Sequence, residues 1–296
     1  MKCFYHSADL DGHCSGALIK QAYPDCVMIG INYGDKFPWD TIKEGETIYI
    51  TDFSLQPFED MIRLNRFADL KWIDHHKTAI QNYHDSLLLG GEEIDGLCNS
   101  AFAGCELTYM WLHEGGHCQV PLAVHLLGRY DVWDHKDSRV LDFQYAMRAI
   151  EDTWPDNTEL WNRILRDDTE VERMLESGRR ILDYQRLEYR KTARAQTFVT
   201  EVDGLVCLAA NAPMVNSKLF DSLMDEDLYD AVIVFSFTGK LNWKVSLYTS
   251  KPGIDVSSVA VAHGGGGHAG AAGCNCPDVG WIMENARQLN RKQKGA

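Results

Sequence analysis

Short apolar runs alternate with amphipathic stretches through the first third of the chain. KCFYHS (2–7) is one such run, and a helical pattern follows it from about Gly12 to Ala22. CVMIGINY (26–33) is a second run. ETIYITDFS (46–54) and LKWIDHHK (70–77) are a third and fourth, separated by an amphipathic stretch over 57–67. Alternating strands and helices of this kind predict a mostly parallel, doubly wound sheet. The segment 100–127 is helical in pattern. From about 157 to 195 the chain is long, polar and rich in helix formers, which predicts a helical connector with a solvated charged face.

The pattern changes after the connector. TFVTEVDGLVCLAA (197–210) reads as a hairpin with Asp203-Gly204 at its turn. YDAVIVFSF (229–237) and LNWKVSLYT (241–249) read as another. A short helix from near Asp255, a glycine-rich loop and a final helix near 280–291 complete the chain. The expected division is a first α/β domain over 1–155, a connector over 156–196 and a smaller α/β domain over 197–296.

Composition narrows the class. The chain is 45% hydrophobic and 24% charged, which are globular values. No apolar run approaches the ~20 residues that span a bilayer. The first residues carry no apolar segment of the secretory kind, and the nine cysteines are odd in number and contain no CxxC pair. A reduced, cytoplasmic protein is therefore expected. The Cys274-Asn275-Cys276 pattern alone is weak evidence for metal. A net charge of −14 argues against binding long duplex nucleic acid but not against a short phosphorylated substrate.

The candidate chemistry sits where strands end. His6 ends the first strand and Asp9 and Asp11 follow it, Asp52 follows TIYI in the third run, and Asp74-His75-His76 follow LKWI in the fourth. Sites in open α/β sheets form at the carboxyl ends of strands, so these side chains are expected to converge. Converging carboxylates repel one another unless a cation neutralises them. Oxygen donors with imidazole suit Mn²⁺ or Mg²⁺ better than thiolate-bound zinc, and four or more carboxylates can hold two metals. A lone Asp after a strand is commonly a helix cap, but three strand ends carrying the same chemistry are harder to explain in that way.

These residues resemble the motifs of the DHH phosphoesterase superfamily. HSADLDGHCSGA (6–17), TDFS (51–54), DHHKT (74–78) and GRYDVWD (128–134) resemble its four motifs, in family order. AHGGGGHAGAAG (262–273) resembles the glycine-histidine motif of the DHHA1 substrate-binding domain. The resemblance implies a DHH metal-binding catalytic domain, a DHHA1 domain and a cleft between them. It implies two Mn²⁺ ions per site, with Mg²⁺ or Co²⁺ as substitutes. His6, Asp9, Asp11, Asp52, His75 and Asp131 would be the ligands. Asp52 would bridge both metals, Asp74 would support the ligands from behind, and Asp134 is an alternative to Asp131. His76 would face the substrate phosphate, joined by Arg129 or Lys77. Gly265, Gly266, Gly267 and His268 would hold the far end of the substrate.

The implied reaction is metal-assisted phosphodiester hydrolysis. The oligoribonuclease branch, acting on short RNA and linear dinucleotides, fits an acidic chain of this length best. Alternatives are an enzyme acting on polyphosphate, a cyclic mononucleotide or a nucleoside 3′,5′-bisphosphate, and an inactive scaffold of the same superfamily. No membrane partner is expected, and a homodimer is a possible assembly. Two further features read as structural. Asn216, Ser217 and Lys218 could touch a nucleotide, but Asn and Ser more commonly cap a helix there. His113-Glu114-Gly115-Gly116-His117 fits a zinc-protease pattern that works only on a continuous helix, and the glycine pair predicts a helix end instead.

Overall fold

The computed structural model describes residues 1–113 and 119–289. The chain divides into two compact units, Met1–Leu182 and Asp183–Ala296.

The first unit is built on five parallel strands: β1 (Lys2–His6), β2 (Val27–Ile31), β3 (Thr47–Thr51), β4 (Asp69–Asp74) and β5 (Asp95–Cys98), in the order β2-β1-β3-β4-β5. Helices α1 (Leu10–Ala22), α2 (Glu59–Phe67) and α3 (Lys77–Leu88) connect them. The chain leaves β1 toward β2 and later returns to lay β3 on the other side of β1. That reversal opens a crevice at the carboxyl ends of β1 and β3, the usual ligand position in such sheets. Phe4, Ile48, Ile50 and Trp72 are buried on one face, and Cys3, Tyr5, Tyr49 and Ile73 on the other. Burial on both faces is why these strands read as continuous apolar runs. β5 is not evident from its sequence, DGLC. It needs Gly96, where a Cβ would meet the Trp72 carbonyl oxygen at 1.8 Å.

Among the described residues, four more helices of this unit follow: α4 (Gly104–Leu112), α5 (Leu122–Asp131), α6 (Ser138–Arg148) and α7 (Thr158–Arg166). The helical pattern over 100–127 is thus the whole of one helix and the start of another. The stretch expected to be only a solvated connector also differs. Leu160, Trp161, Ile164 and Leu165 of α7 enter the core with Phe143 and Leu127. Helix α8 (Asp168–Gln196) begins in the same core through Val171 and Leu175, and the division between units falls within it. The charges are exposed as expected, but the apolar face of the first half is buried.

The second unit carries a seven-stranded mixed sheet, ordered β10-β11-β9-β8-β7-β6-β12. β6 (Thr197–Val202) and β7 (Leu205–Asn211) form the expected hairpin, with Asp203 and Gly204 both at positive φ, 49° and 79°. β8 (Ala231–Phe237) and β9 (Trp243–Tyr248) form the second. After α9 (Val256–Ala262), the glycine-rich stretch is a strand rather than a loop: β10 (Gly266–His268) pairs with β11 (Ala271–Cys276). The final helix is short, α10 (Gly280–Met283), and is followed by β12 (Arg287–Gln288); residues 290–291 lie outside the described residues.

Candidate metal and phosphoester site

Each acidic residue is placed by the element beside it. Asp9 caps α1, accepting a hydrogen bond from the Gly12 amide at 3.0 Å through Oδ1. Its Oδ2 lies 3.2 Å from His6 Nδ1. Capping thus uses one oxygen of the carboxylate and leaves the other facing His6. Asp11, buried, accepts hydrogen bonds from the Gly104 and Cys105 amides at 2.8 Å each. Those are the first amides of α4, where the helix dipole favours an anion. Asp52 follows β3 with φ 54°, a backbone region that non-glycine residues enter uncommonly. Gly104 packs against it, and a Cβ there would come within 2.6 Å of the Asp52 side chain. The turn therefore holds a buried carboxylate in a strained conformation at the sheet crevice, a common feature of ligand sites.

His75 lies at the centre of the group. Its Nε2 is 3.1 Å from Asp52 Oδ1, 3.3 Å from Asp131 Oδ2 and 3.8 Å from Asp11 Oδ2. Asp74 is fully buried behind the histidines. Its Oδ1 accepts from the His75 amide at 2.8 Å and the His76 amide at 3.2 Å, and contacts His76 Nδ1 at 2.7 Å. Asp74 Oδ1, already accepting from two amides, is placed to accept from His76 Nδ1 as well, which leaves Nε2 for an outside group.

The electrostatics are those of a crowded anionic pocket. Burial raises Asp11 well above the ordinary carboxylate range, and the charges of Asp52, Asp131 and Asp9 raise it further. Burial and the Asp52 charge push Asp131 up to about 6. For Asp52, burial is outweighed by the neighbouring His6 and His75, which hold it down at about 2. Burial would lower both His6 and His76. Asp52 and Asp9 nonetheless lift His6 to about 10, and Asp74 with Asp52 lifts His76 to about 9. Protons on imidazole offset the carboxylate charge here, a role that a cation can take over.

The residues fit such a cation. Three sets have ligand atoms within 4.8 Å of one another: His6, Asp9 and Asp52; Asp52, His75 and His76; Asp11, His75 and Asp131. Asp52 and His75 are each shared between two sets. His6 Nδ1 and Asp52 Oδ1 are buried without a hydrogen bond, despite their close charged neighbours. Buried polar atoms left unpaired are costly, and oxygen with imidazole is a donor set for Mn²⁺ or Mg²⁺.

Comparison with known proteins gives the family. Residues 208–294 match the DHHA1 domain family. The chain is 30% identical over 302 residues to the oligoribonuclease NrnB of Bacillus subtilis (strain 168), an alignment covering 93% of this chain and 72% of that protein. The chain belongs to the DHH/DHHA1 phosphoesterase superfamily. Two solved structures share the fold. A pGpG-specific phosphodiesterase, PggH, from Vibrio cholerae is 14% identical with a TM-score of 0.54, covering 93% of this chain and 92% of that one. The DHH domain of a member of a ribosomal protein family is 12% identical, also with a TM-score of 0.54, covering 96% of this chain and 84% of that one.

In this DHH phosphoesterase the structure brings His6, Asp9, Asp11, Asp52, His75, His76 and Asp131 together, with Asp74 behind them. Asp134 stays outside the three sets; its nearest charged partner is Lys136 at 3.6 Å. Arg129 is not presented as a free substrate contact. It pairs with Glu106, which also accepts from the Ala103 amide at the start of α4. The pairing braces α5 against α4, two residues before Asp131.

An aromatic wall escaped the sequence reading. Tyr33 packs 4.7 Å from Phe53, and its ring lies 5.8 Å from His6 and 5.9 Å from His76. Burial, followed by the Asp74 charge, pushes its hydroxyl up to about 12. Its place just beyond β2, at the same sheet edge as the ligands, was the available signal.

The DHHA1 part has its own geometry. Gly265 and Gly267 lie where β10 closes on β11: a Cβ on Gly265 would meet the Gly273 carbonyl oxygen at 2.1 Å, and one on Gly267 the Ala272 Cα at 2.5 Å. These glycines therefore serve strand packing, while a Cβ on Gly266 would meet nothing within 4 Å. His268 is exposed at the end of β10. Asn216 caps a 3₁₀ turn through the Lys218 amide at 3.1 Å. Cys274 and Cys276 are buried free thiols, and burial pushes Cys274 up to about 11, away from the thiolate a metal needs. Helix α4 ends at Leu112 with His113 as its cap, while Glu114 to His117 lie outside the described residues. No helix among the described residues is long and apolar enough to cross a membrane.

Proposed function

We propose that this phosphoesterase hydrolyses phosphodiester bonds in short oligoribonucleotides and linear dinucleotides, with two Mn²⁺ ions held by His6, Asp9, Asp11, Asp52, His75 and Asp131. The observation that carries the reading is the sharing of buried Asp52 and half-buried His75 between overlapping ligand sets. The names of the NrnB relative and of the PggH fold neighbour support the substrate class, and the acidic surface favours a short substrate over a long duplex. Bound divalent ions would acidify a water near neutral pH and neutralise phosphate charge.

The chain's own residues do the rest. Asp52, fixed by its turn and Gly104, sets the spacing of the two ligand groups. Asp11 is aimed by the α4 amides. His76, oriented by Asp74, presents Nε2 to the phosphate, where it can donate to a phosphoryl oxygen or protonate the leaving oxygen. The first unit, with residues 1–155 at its heart, is assigned the chemistry, the second half of α8 the connection, and 197–296, with Gly265 to His268, the grip on substrate. A cytoplasmic location follows the thiol-rich composition.

Incubation with Mn²⁺ and a panel of pGpG, pApA, RNA trimers, 3′-phosphoadenosine-5′-phosphate, cyclic AMP and pyrophosphate tests the reading. Dinucleotides and trimers should be converted to mononucleotides fastest. Turnover of only the bisphosphate, cyclic AMP or pyrophosphate would reject it.

A further inference from the structure

The turn after α5 contains an unusual residue choice. Trp133 donates its amide to the Tyr130 carbonyl at 3.2 Å, and Asp134 donates to the Arg129 carbonyl at 2.9 Å. That pair of bonds is the Schellman helix ending, whose left-handed position is usually filled by glycine. Here it is filled by Trp133 at φ 60°, with the side chain 75% exposed. A bulky residue gains nothing from that backbone region, and an indole in water gains no burial. Neither helix capping nor the core explains it.

Its surroundings point to a use. The Trp133 ring lies 5.4 Å from that of His135, and His135 stacks on Tyr130 at 5.1 Å and 22°. Arg148 sits over the other ring in the row, with its Cζ 5.4 Å from the Tyr130 centroid and a hydrogen bond to the Tyr130 hydroxyl at 3.1 Å. Lys136 extends into solvent beside them. This row of π faces and cations begins two residues beyond Asp131, which contacts His75. Aromatic rings alternating with cations are the chemistry that holds unpaired bases along a single-stranded chain.

We propose that Trp133, supported by His135 and Tyr130, is a base-stacking subsite for a nucleotide adjoining the scissile phosphate. The proposal rests on the oligonucleotide reading above and refines it: the first unit itself recognises part of the substrate. Every base has a π face, so the subsite is tolerant of base identity and demands only that a base be present.

The test compares wild type, Trp133→Gly and Trp133→Phe on pGpG and on its analogue lacking both nucleobases, with melting temperatures measured in parallel. Glycine suits the left-handed position, so Trp133→Gly should melt at or above the wild-type temperature. Its kcat/KM on pGpG should fall roughly ten- to a hundred-fold further than on the base-less analogue. Trp133→Phe should recover most of that difference. Equal losses on both substrates, or a loss that tracks a lower melting temperature, would overturn the proposal. So would a change in oligomeric state without a change in substrate discrimination. Failure of the wild type to cleave pGpG, pApA and RNA trimers alike would instead sink the proposed function, and a quench of tryptophan emission by pApA that is present in wild type and absent from Trp133→Gly would still report on the subsite.

Discussion

The strand ends of the first unit and the glycine strand of the second were both singled out by their residues, yet they are built on different principles. At the strand ends each polar group is aimed by a neighbour: buried Asp11 by the α4 amides, half-buried His76 by Asp74, and buried Asp52 by a left-handed turn. At β10, Gly267 and the adjoining Gly265 are consumed by close strand packing, Gly266 is open, and His268 stands exposed. Reaction chemistry needs atoms fixed to fractions of an ångström, and that precision leaves clusters in the sequence. Recognition of a flexible substrate tolerates an exposed side chain on a rigid platform and leaves a fainter trace.

The comparison breaks most visibly at Asp52. Asp52→Ala should lower kcat/KM by on the order of 10³-fold or more, because one residue serves two ligand sets. Asp9→Ala, which removes a ligand from one set only, should cost less. Near wild-type turnover of Asp52→Ala at saturating Mn²⁺ would show that the shared carboxylate is not central.

The contrast between His76 and His268 sharpens it. His268→Ala should lower kcat/KM on dinucleotides by roughly ten- to a hundred-fold, the loss of a charge-assisted hydrogen bond worth about 1.5–3 kcal/mol. On bis-p-nitrophenyl phosphate, which offers that strand less to hold, its loss should be much smaller. His76→Ala should impair both substrates alike. Equal profiles for the two variants would remove the division between chemistry and grip.

Much of this was legible in the residues. Burial on both faces made β1, β3 and β4 stand out as apolar runs, and the acidic clusters marked their ends. What was missed has physical reasons. β5 carries almost no strand propensity and exists because Gly96 lets it approach Trp72. The apolar stripe of α7 was hidden by its many charges. Arg129 could be placed near the site by its position, but its pairing with Glu106 is a tertiary contact between helices. Tyr33 offered only a strand-end position, without a second chemical signal.

A smaller effect follows from the histidines. His6 and His76 gain carboxylate partners on folding, and their pKa values rise to about 10 and about 9. Such groups stabilise the fold fully below their unfolded value near 6.5, and the contribution is lost as pH climbs through the folded values. The metal-free protein should therefore lose a few degrees of melting temperature between pH 7 and pH 10. Mn²⁺, which requires neutral imidazole on its ligands, should flatten that slope. An unchanged slope with and without metal would separate these histidines from the metal site.

The central claim is that the cluster from His6 to Asp131 is a two-metal centre for phosphodiester cleavage. Its most direct test is to count Mn²⁺ per chain in wild type and Asp52→Ala while following pGpG hydrolysis before and after chelation. Two ions per wild-type chain, fewer in the variant, and hydrolysis that disappears with chelation and returns with Mn²⁺ are the predicted results. Undiminished pGpG hydrolysis by a chain shown to hold no metal would contradict the account.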